Sequence, residues 1–101
     1  MYKIYIDTTE RFNKSVILKK DDVEVDKLQG DIDVADSIQK ILVKNNLQIK
    51  DIEEFIPNPG PGSFTGIKIG ITVANVLNWV FGKKKMEDLT KPQYGKMPNI
   101  Q

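Results

Sequence analysis

The sequence contains neither cysteine nor histidine among its 101 residues. Without cysteine, disulfide bonds and thiolate metal sites are excluded. Without histidine, the commonest general base and the commonest metal ligand of proteins are missing together. Serine–histidine and cysteine–histidine nucleophile pairs are therefore ruled out. The remaining residues offer no credible metal-ligand set, so we expect no catalytic residue, no bound metal and no other cofactor.

Strong charge and long apolar runs are also missing. The chain has 15 basic and 14 acidic residues, and its net charge of +1 gives no bias toward nucleic acid or an anionic membrane. The longest apolar-rich stretch, residues 67–81, is interrupted by polar residues. It is shorter than the roughly 20 residues that a membrane span needs. Because no basic-then-apolar signal sequence opens the chain, we expect a cytoplasmic protein without membrane contact.

Alternating apolar and polar residues predict three strands, followed by two helices that flank a short fourth strand. The strands are predicted over residues 1–7, 12–19, 23–28 and 55–57, and the helices over residues 33–46 and 63–81. Asp33 is a suitable N-cap of the first helix, and Ser63 or Thr65 of the second, with Gly82 as its stop. Short connections favour an antiparallel meander of the first three strands.

The order β-β-β-α-β-α predicts an α/β fold with a mixed sheet, in which the fourth strand lies beside the first and the helices pack on the sheet. We expect a domain over residues 1–82. Residues 83–101 are predicted to form a basic, proline-bearing tail with one further helical turn near Met86.

The second helix is apolar on two sides. At 100° per residue, Ile67, Ile71, Ala74 and Phe81 point one way, and Ile69, Val73, Val76 and Val80 point nearly the opposite way. An ordinary surface helix has a single apolar stripe, and one sheet covers only one side. A partner surface is the interpretation we favour for the second side, and cover by the first helix and the tail is the alternative.

Small residues add to the partner hypothesis, because Gly66, Gly70 and Ala74 recur every four residues and would let another backbone approach closely. The predicted partner interface comprises Ile38, Ile41, Gly66, Ile69, Gly70, Val73, Ala74, Asn75, Leu77 and Asn78. On this hypothesis, Gly70→Leu leaves the domain folded and abolishes the complex. Trp79 is interpreted as a packing or interface anchor.

Two short motifs suit a nucleotide phosphate. Residues 60–66 form a glycine-rich loop before a helix N-terminus, where Gly60, Gly62 and Ser63 would face the anion. Asp7 and Thr8 end the first strand and form the second motif. The loop matches neither the Walker loop nor the dinucleotide fingerprint, so a structural tight turn explains it equally well. The lysine run 83–85 fits a solvated helix end better than a tRNA phosphate contact.

Residues 60–70, with the sequence GPGSFTGIKIG, resemble the signature of the TsaB family, which is YeaZ-like and was formerly described as glycoprotease-like. Lys68 stands where that family usually has arginine, and Asn58 where it usually has glycine. The first strand, ending in Asp7-Thr8-Thr9, is similar to the family's start, and residues 92–100 look like its C-terminal tail. The resemblance covers residues 1 to about 82 and indicates a single-domain form that lacks the second domain.

The resemblance implies the N-terminal half of an actin-like ATPase fold, of the ASKHA or ribonuclease H-like type. That fold binds nucleotide between two halves, so catalysis by this half alone is not expected. It further implies a non-catalytic scaffold that dimerises with TsaD, the catalytic homologue, for threonylcarbamoyl transfer to adenosine in tRNA. A TsaE-like ATPase would join, and tRNA would be contacted indirectly. The family's pairing surface uses the two N-terminal helices.

Two other functions stay open from the residues. One is a minimal nucleotide-binding phosphotransferase or hydrolase that uses Asp7 and the glycine loop. The other is a structural domain that self-associates through the second helix. Because TsaB-like proteins tend to form homodimers, a homodimer alone would not separate the scaffold from the self-associating domain.

Overall fold

The computed structural model describes residues 1–90, apart from the side chain of Phe64. Strands and helices follow the predicted order: β1 Tyr2–Asp7, β2 Lys14–Lys20, β3 Val23–Gly30, α1 Val34–Lys44, β4 Ile52–Pro57 and α2 Phe64–Val80. Single 3-10 turns lie at Ile49–Asp51 and Met86–Asp88. The second of these matches the helical turn predicted near Met86.

The four strands form one mixed sheet with the order β3-β2-β1-β4. β1 pairs antiparallel with β2, and β2 pairs antiparallel with β3, which confirms the predicted meander. β4 pairs parallel with β1, because the crossover through α1 returns the chain to the far side of β1. The predicted α/β fold, with the fourth strand beside the first, is therefore confirmed.

Both helices cover the same face of the sheet. Ile4 of β1 lies opposite Leu18 of β2 on one side and Phe55 of β4 on the other, and all three are fully buried. α1 contacts β2 and β3, and α2 contacts β4 and β1. The buried residues of α1 recur at helical spacing and include Ile38 and Ile41. The core is thus a single layer between the sheet and two helices lying side by side.

Local signals set the ends of the elements. The Asp33 carboxylate accepts the N–H of Asp36 at 2.9 Å, which confirms the predicted cap of α1. Of the two candidates for α2, Ser63 provides the cap by accepting the N–H of Gly66 at 3.2 Å. Gly82 follows α2 with a φ of +68°, a conformation that glycine adopts without a steric penalty.

Several boundaries differ from the prediction. β4 begins at Ile52 rather than at residue 55, because the 3-10 turn ends at Asp51 and the chain extends directly after it. β2 begins at Lys14, since Phe12 lies exposed in the turn before it. Residues 91–101, most of the predicted tail, lie outside the described residues. The boundary at residue 82 stays a prediction.

Candidate partner interface

The two apolar sides of α2 have different surroundings. The inward side faces β4 and β1 of the sheet, and its Ile67, Ile71 and Ala74 are buried. The outward side is exposed, with relative accessibilities of 42% for Ile69, 50% for Val76 and 61% for Val80. Within residues 1–90, α1 and the segment after α2 leave these outward side chains exposed. The outward side of α2 thus carries a strip of exposed apolar side chains, and contiguous exposed apolar patches are a common feature of surfaces that bind another molecule.

A groove of about 590 Å³ continues this surface between the two helices. Its lining is mostly apolar: Ala35, Ile38, Gln39 and Leu42 from α1, Ile49 from the 3-10 turn, and Thr72, Val73, Val76 and Leu77 from α2. α1 therefore lies beside α2 without filling the space above their junction. We call the groove together with exposed Ile69 and Val80 the helix-pair surface.

The small residues of α2 do not belong to the helix-pair surface, and their assignment to a partner interface is wrong. The hydroxyl of buried Thr8 donates to the carbonyl of Gly66 and accepts the N–H of Gly70 at 3.0 Å. A Cβ on either glycine would overlap the backbone or hydroxyl of Thr8. Ala74 is fully buried on the same side. These positions are small because β1 approaches α2 closely, so Gly70→Leu would disrupt the fold rather than leave it intact.

Asn78 is the second correction. Its side chain is fully buried, where Nδ2 donates to the carbonyl of Phe55 at 2.7 Å and Oδ1 accepts the N–H of Phe55 at 2.8 Å. The carboxamide thus takes the place of a neighbouring strand at the outer edge of β4. Asn78 is a structural residue and cannot also bind a partner.

Two further predicted interface residues make contacts within the chain and do not lie on the helix-pair surface. Ile41 lies in the core between α1 and the sheet. Asn75 exchanges two hydrogen bonds of 3.0 Å with the backbone of Thr90. Ile38, Ile69, Val73 and Leu77 are the predicted residues that do lie on the helix-pair surface. Val76 and Val80 were missing from the predicted interface, although helical periodicity already placed them on the outward side.

The two phosphate-binding candidates meet in space. The Asp7 carboxylate accepts the N–H and the hydroxyl of Thr9 at 2.9 and 2.7 Å, and the Nδ2 of Asn58 at 3.1 Å. Burial raises the pKa of Asp7, but these hydrogen bonds outweigh it and hold the pKa below its usual value. The Asp7 carboxylate is therefore fixed by hydrogen bonds, and its bond to Asn58 links the end of β1 to the end of β4.

Two N–H donors of the glycine loop are likewise used within the chain. The N–H of Ser63 donates to the carbonyl of Thr9 at 2.9 Å, and the N–H of Gly60 donates to Oδ1 of Asn58 at 3.1 Å. A Cβ on Gly62 would lie 2.6 Å from the Cβ of Thr9, so glycine lets the loop approach β1. The geometry thus explains the loop as a structural link that holds the end of β1 against the start of α2. A nucleotide contact stays a prediction for the five residues Asp7, Thr8, Gly60, Gly62 and Ser63.

Metal-binding clusters and membrane-spanning helices are two further kinds of functional feature. Within residues 1–90, no group of three acidic side chains lies close enough together to hold a metal ion. In the same range, no helix combines the length and the apolar character needed to cross a bilayer.

Known proteins share the family and the fold of this chain. The family model described as "TsaD: tRNA N6-adenosine threonylcarbamoyltransferase" matches residues 32–86, which span α1, β4 and α2. No curated protein matches. Two solved structures from Pseudomonas aeruginosa are similar, one titled as YeaZ and one as an uncharacterized protein with similarity to peptidase YEAZ. Each is 19% identical, has a TM-score of 0.73, and is covered over 81% of this chain and 40% of its own. The chain thus spans less than half the length of these structures, and their likeness confirms the actin-like fold.

Proposed function

The chain belongs to the TsaD family of tRNA N6-adenosine threonylcarbamoyltransferases, and we propose that it is a non-catalytic subunit that binds a TsaD-like catalytic partner. Membership of the family supports a role related to tRNA modification. The complex would transfer threonylcarbamoyl to adenosine in tRNA. The observation that carries the proposal is the helix-pair surface, an apolar groove flanked by exposed apolar side chains of α2.

The shape of this surface suits a pair of helices from a protein of the same fold. Two helices lie side by side on one face of the sheet, and the groove between them is wide enough to receive side chains of a third helix. Helices pack by placing the ridges of one into the grooves of another, so a homologous helix pair is the natural complement. The buried core of such interfaces is apolar and contains few charged residues. A second copy of this chain, and a TsaE-like ATPase bound elsewhere, are further partners compatible with the proposal.

The side chains near the glycine loop support a non-catalytic role. The chain has no histidine and no cysteine. Asp7, which bonds to Asn58 just before the loop, is engaged by Thr9 and Asn58. The matched family is named for a catalytic activity, so transferase activity of this chain by itself is the competing function. Threonylcarbamoyl transfer to tRNA by the isolated chain is therefore measured alongside complex formation.

The test is light scattering coupled to size-exclusion chromatography, on the chain alone and mixed with TsaD from the same genome. We expect a stable complex whose mass is the sum of both chains. Val76→Glu should weaken it at least ~100-fold, because an unpaired charge buried in an apolar contact costs about 3–5 kcal/mol. Val25→Glu is the matched control, since Val25 is 47% exposed against 50% for Val76 and lies on β3. This control should leave the complex intact.

Three results would contradict the proposal. The first is separate elution of the two proteins at micromolar concentrations. The second is equal affinity of Val76→Glu and Val25→Glu, each shown to be folded by circular dichroism. The third is threonylcarbamoyl transfer to tRNA by the isolated chain, which would favour the enzyme instead.

A further inference from the structure

An open depression of about 990 Å³ lies at the C-terminal end of α2. It is lined by Glu54, Trp79, Gly82, Lys83, Lys84, Lys85 and Asp88. None of these residues lines the groove between α1 and α2. Its volume is at the upper end of the roughly 300–1,000 Å³ typical of ligand pockets. The depression is therefore a second surface feature, separate from the helix-pair surface.

The lysines are held in place by the end of the helix. The N–H groups of Lys83 and Lys84 both donate to the carbonyl of Asn78, at 2.6 and 3.1 Å. The carbonyl of Trp79 accepts the N–H of Gly82 at 3.1 Å. These final carbonyls of α2 are thus satisfied by backbone N–H groups. The turn thus presents its lysines from a defined backbone.

The charges in the depression leave a small positive excess. Nζ of Lys84 lies 2.6 Å from a carboxylate oxygen of Glu54, and both side chains are largely buried, so these two charges compensate each other. Lys83 and Lys85 then share the depression with one remaining carboxylate, that of Asp88. One net positive charge matches the single negative charge of a phosphodiester, and lysine is a common phosphate contact.

Trp79 supplies an aromatic surface beside these lysines. Its side chain is 53% exposed, although tryptophan usually buries most of its large ring. A base stacks on an exposed aromatic ring while neighbouring cations hold its phosphate, which is the common arrangement in proteins that bind single-stranded nucleic acid. We infer that the depression binds a nucleotide, with the base on the ring of Trp79 and the phosphate between Lys83 and Lys85.

The chain reports on this site by its own fluorescence, because Trp79 is its only tryptophan. The full chain is titrated at low salt with a single-stranded oligoadenylate, and separately with ATP. We expect saturable quenching of the Trp79 emission as a base stacks on the ring. Lys83→Gln combined with Lys85→Gln should weaken binding of the oligonucleotide and lower the slope of log K against log salt by about 0.7, the value for one phosphate contact on a single strand. Lys27→Gln combined with Lys50→Gln removes the same charge from exposed positions elsewhere and should change neither quantity.

Anisotropy of a labelled oligoadenylate then tests the ring itself. Trp79→Ala should weaken binding roughly 5- to 150-fold, and Trp79→Phe, which keeps a stacking ring, should recover most of the affinity. Quenching by ATP as strong as by the oligonucleotide identifies a free nucleotide as the ligand, and quenching by the oligonucleotide alone identifies an RNA strand; both support the inference. It is overturned if neither ligand quenches saturably, or if tripolyphosphate or an acidic peptide binds equally well without dependence on Trp79. Since the groove is not involved, failure here leaves the proposed subunit role unaffected.

Discussion

The substitution Asn78→Leu tests whether the carboxamide at the edge of β4 holds the fold together. Leucine has a similar size but neither donates nor accepts, so the N–H and the carbonyl of Phe55 both lose their partner. Phe55 is fully buried, and each buried unsatisfied group costs about 1–3 kcal/mol. We therefore expect a loss of about 2–6 kcal/mol from the free energy of unfolding, out of the ~5–15 kcal/mol typical of a domain.

The measurement is urea unfolding followed by circular dichroism, with the wild type and Asn78→Asp beside Asn78→Leu. At neutral pH the introduced carboxylate still accepts the N–H of Phe55 but has no proton to donate to its carbonyl. Protonation restores that donor, so the pKa of the introduced carboxyl group is raised in the folded state. The deficit of Asn78→Asp relative to wild type should then be largest at neutral pH and shrink as pH falls through the raised pKa.

Asn75→Leu on the same helix is the control, because Asn75 is only half-buried and bonds to the backbone of Thr90 rather than to the sheet. It should cost about 1 kcal/mol. The role of Asn78 at the edge of β4 would be refuted if both leucine variants lost the same free energy of unfolding, or if Asn78→Leu lost less than about 1 kcal/mol.

Two further predictions concern the end of β1, where Thr8 contacts α2 and Asp7 bonds to Thr9 and Asn58. Gly70→Ala should lower the free energy of unfolding by about 1–3 kcal/mol, because the Cβ of the introduced alanine overlaps the Thr8 hydroxyl. In a double-mutant cycle, this cost should be smaller when Thr8→Ala has removed the hydroxyl. Additive losses from the two substitutions would count against the overlap. Asp7→Asn should flatten the acid end of the stability curve, since the pKa of Asp7 is lowered in the folded state. That contribution is present above the unfolded pKa of about 3.9 and is lost as pH falls through the lower folded pKa. An unchanged curve in urea titrations from pH 6 to pH 2 would contradict this explanation.

The alternation and capping signals in the sequence were sufficient for the order of elements and for the placement of β4 beside β1. Periodicity also identified the two apolar sides of α2, because side-chain direction repeats with the helix itself. It could not say which side the sheet would take. Gly66 and Gly70 illustrate this limit, since a strip of small residues permits close approach without specifying whether a partner or β1 approaches.

Residue patterns alone were enough to predict the α/β fold, the lack of thiol and imidazole side chains in this sequence, and a helix with more apolar surface than one sheet can cover. These properties follow from composition and from local periodicity. Only the tertiary structure decided that Thr8 lies against Gly66 and Gly70, that Asn78 caps β4, and that Trp79 and the lysine turn share one depression. Each of these contacts joins residues from different elements, and their meeting depends on how the helices rest on the sheet, which short-range patterns do not encode.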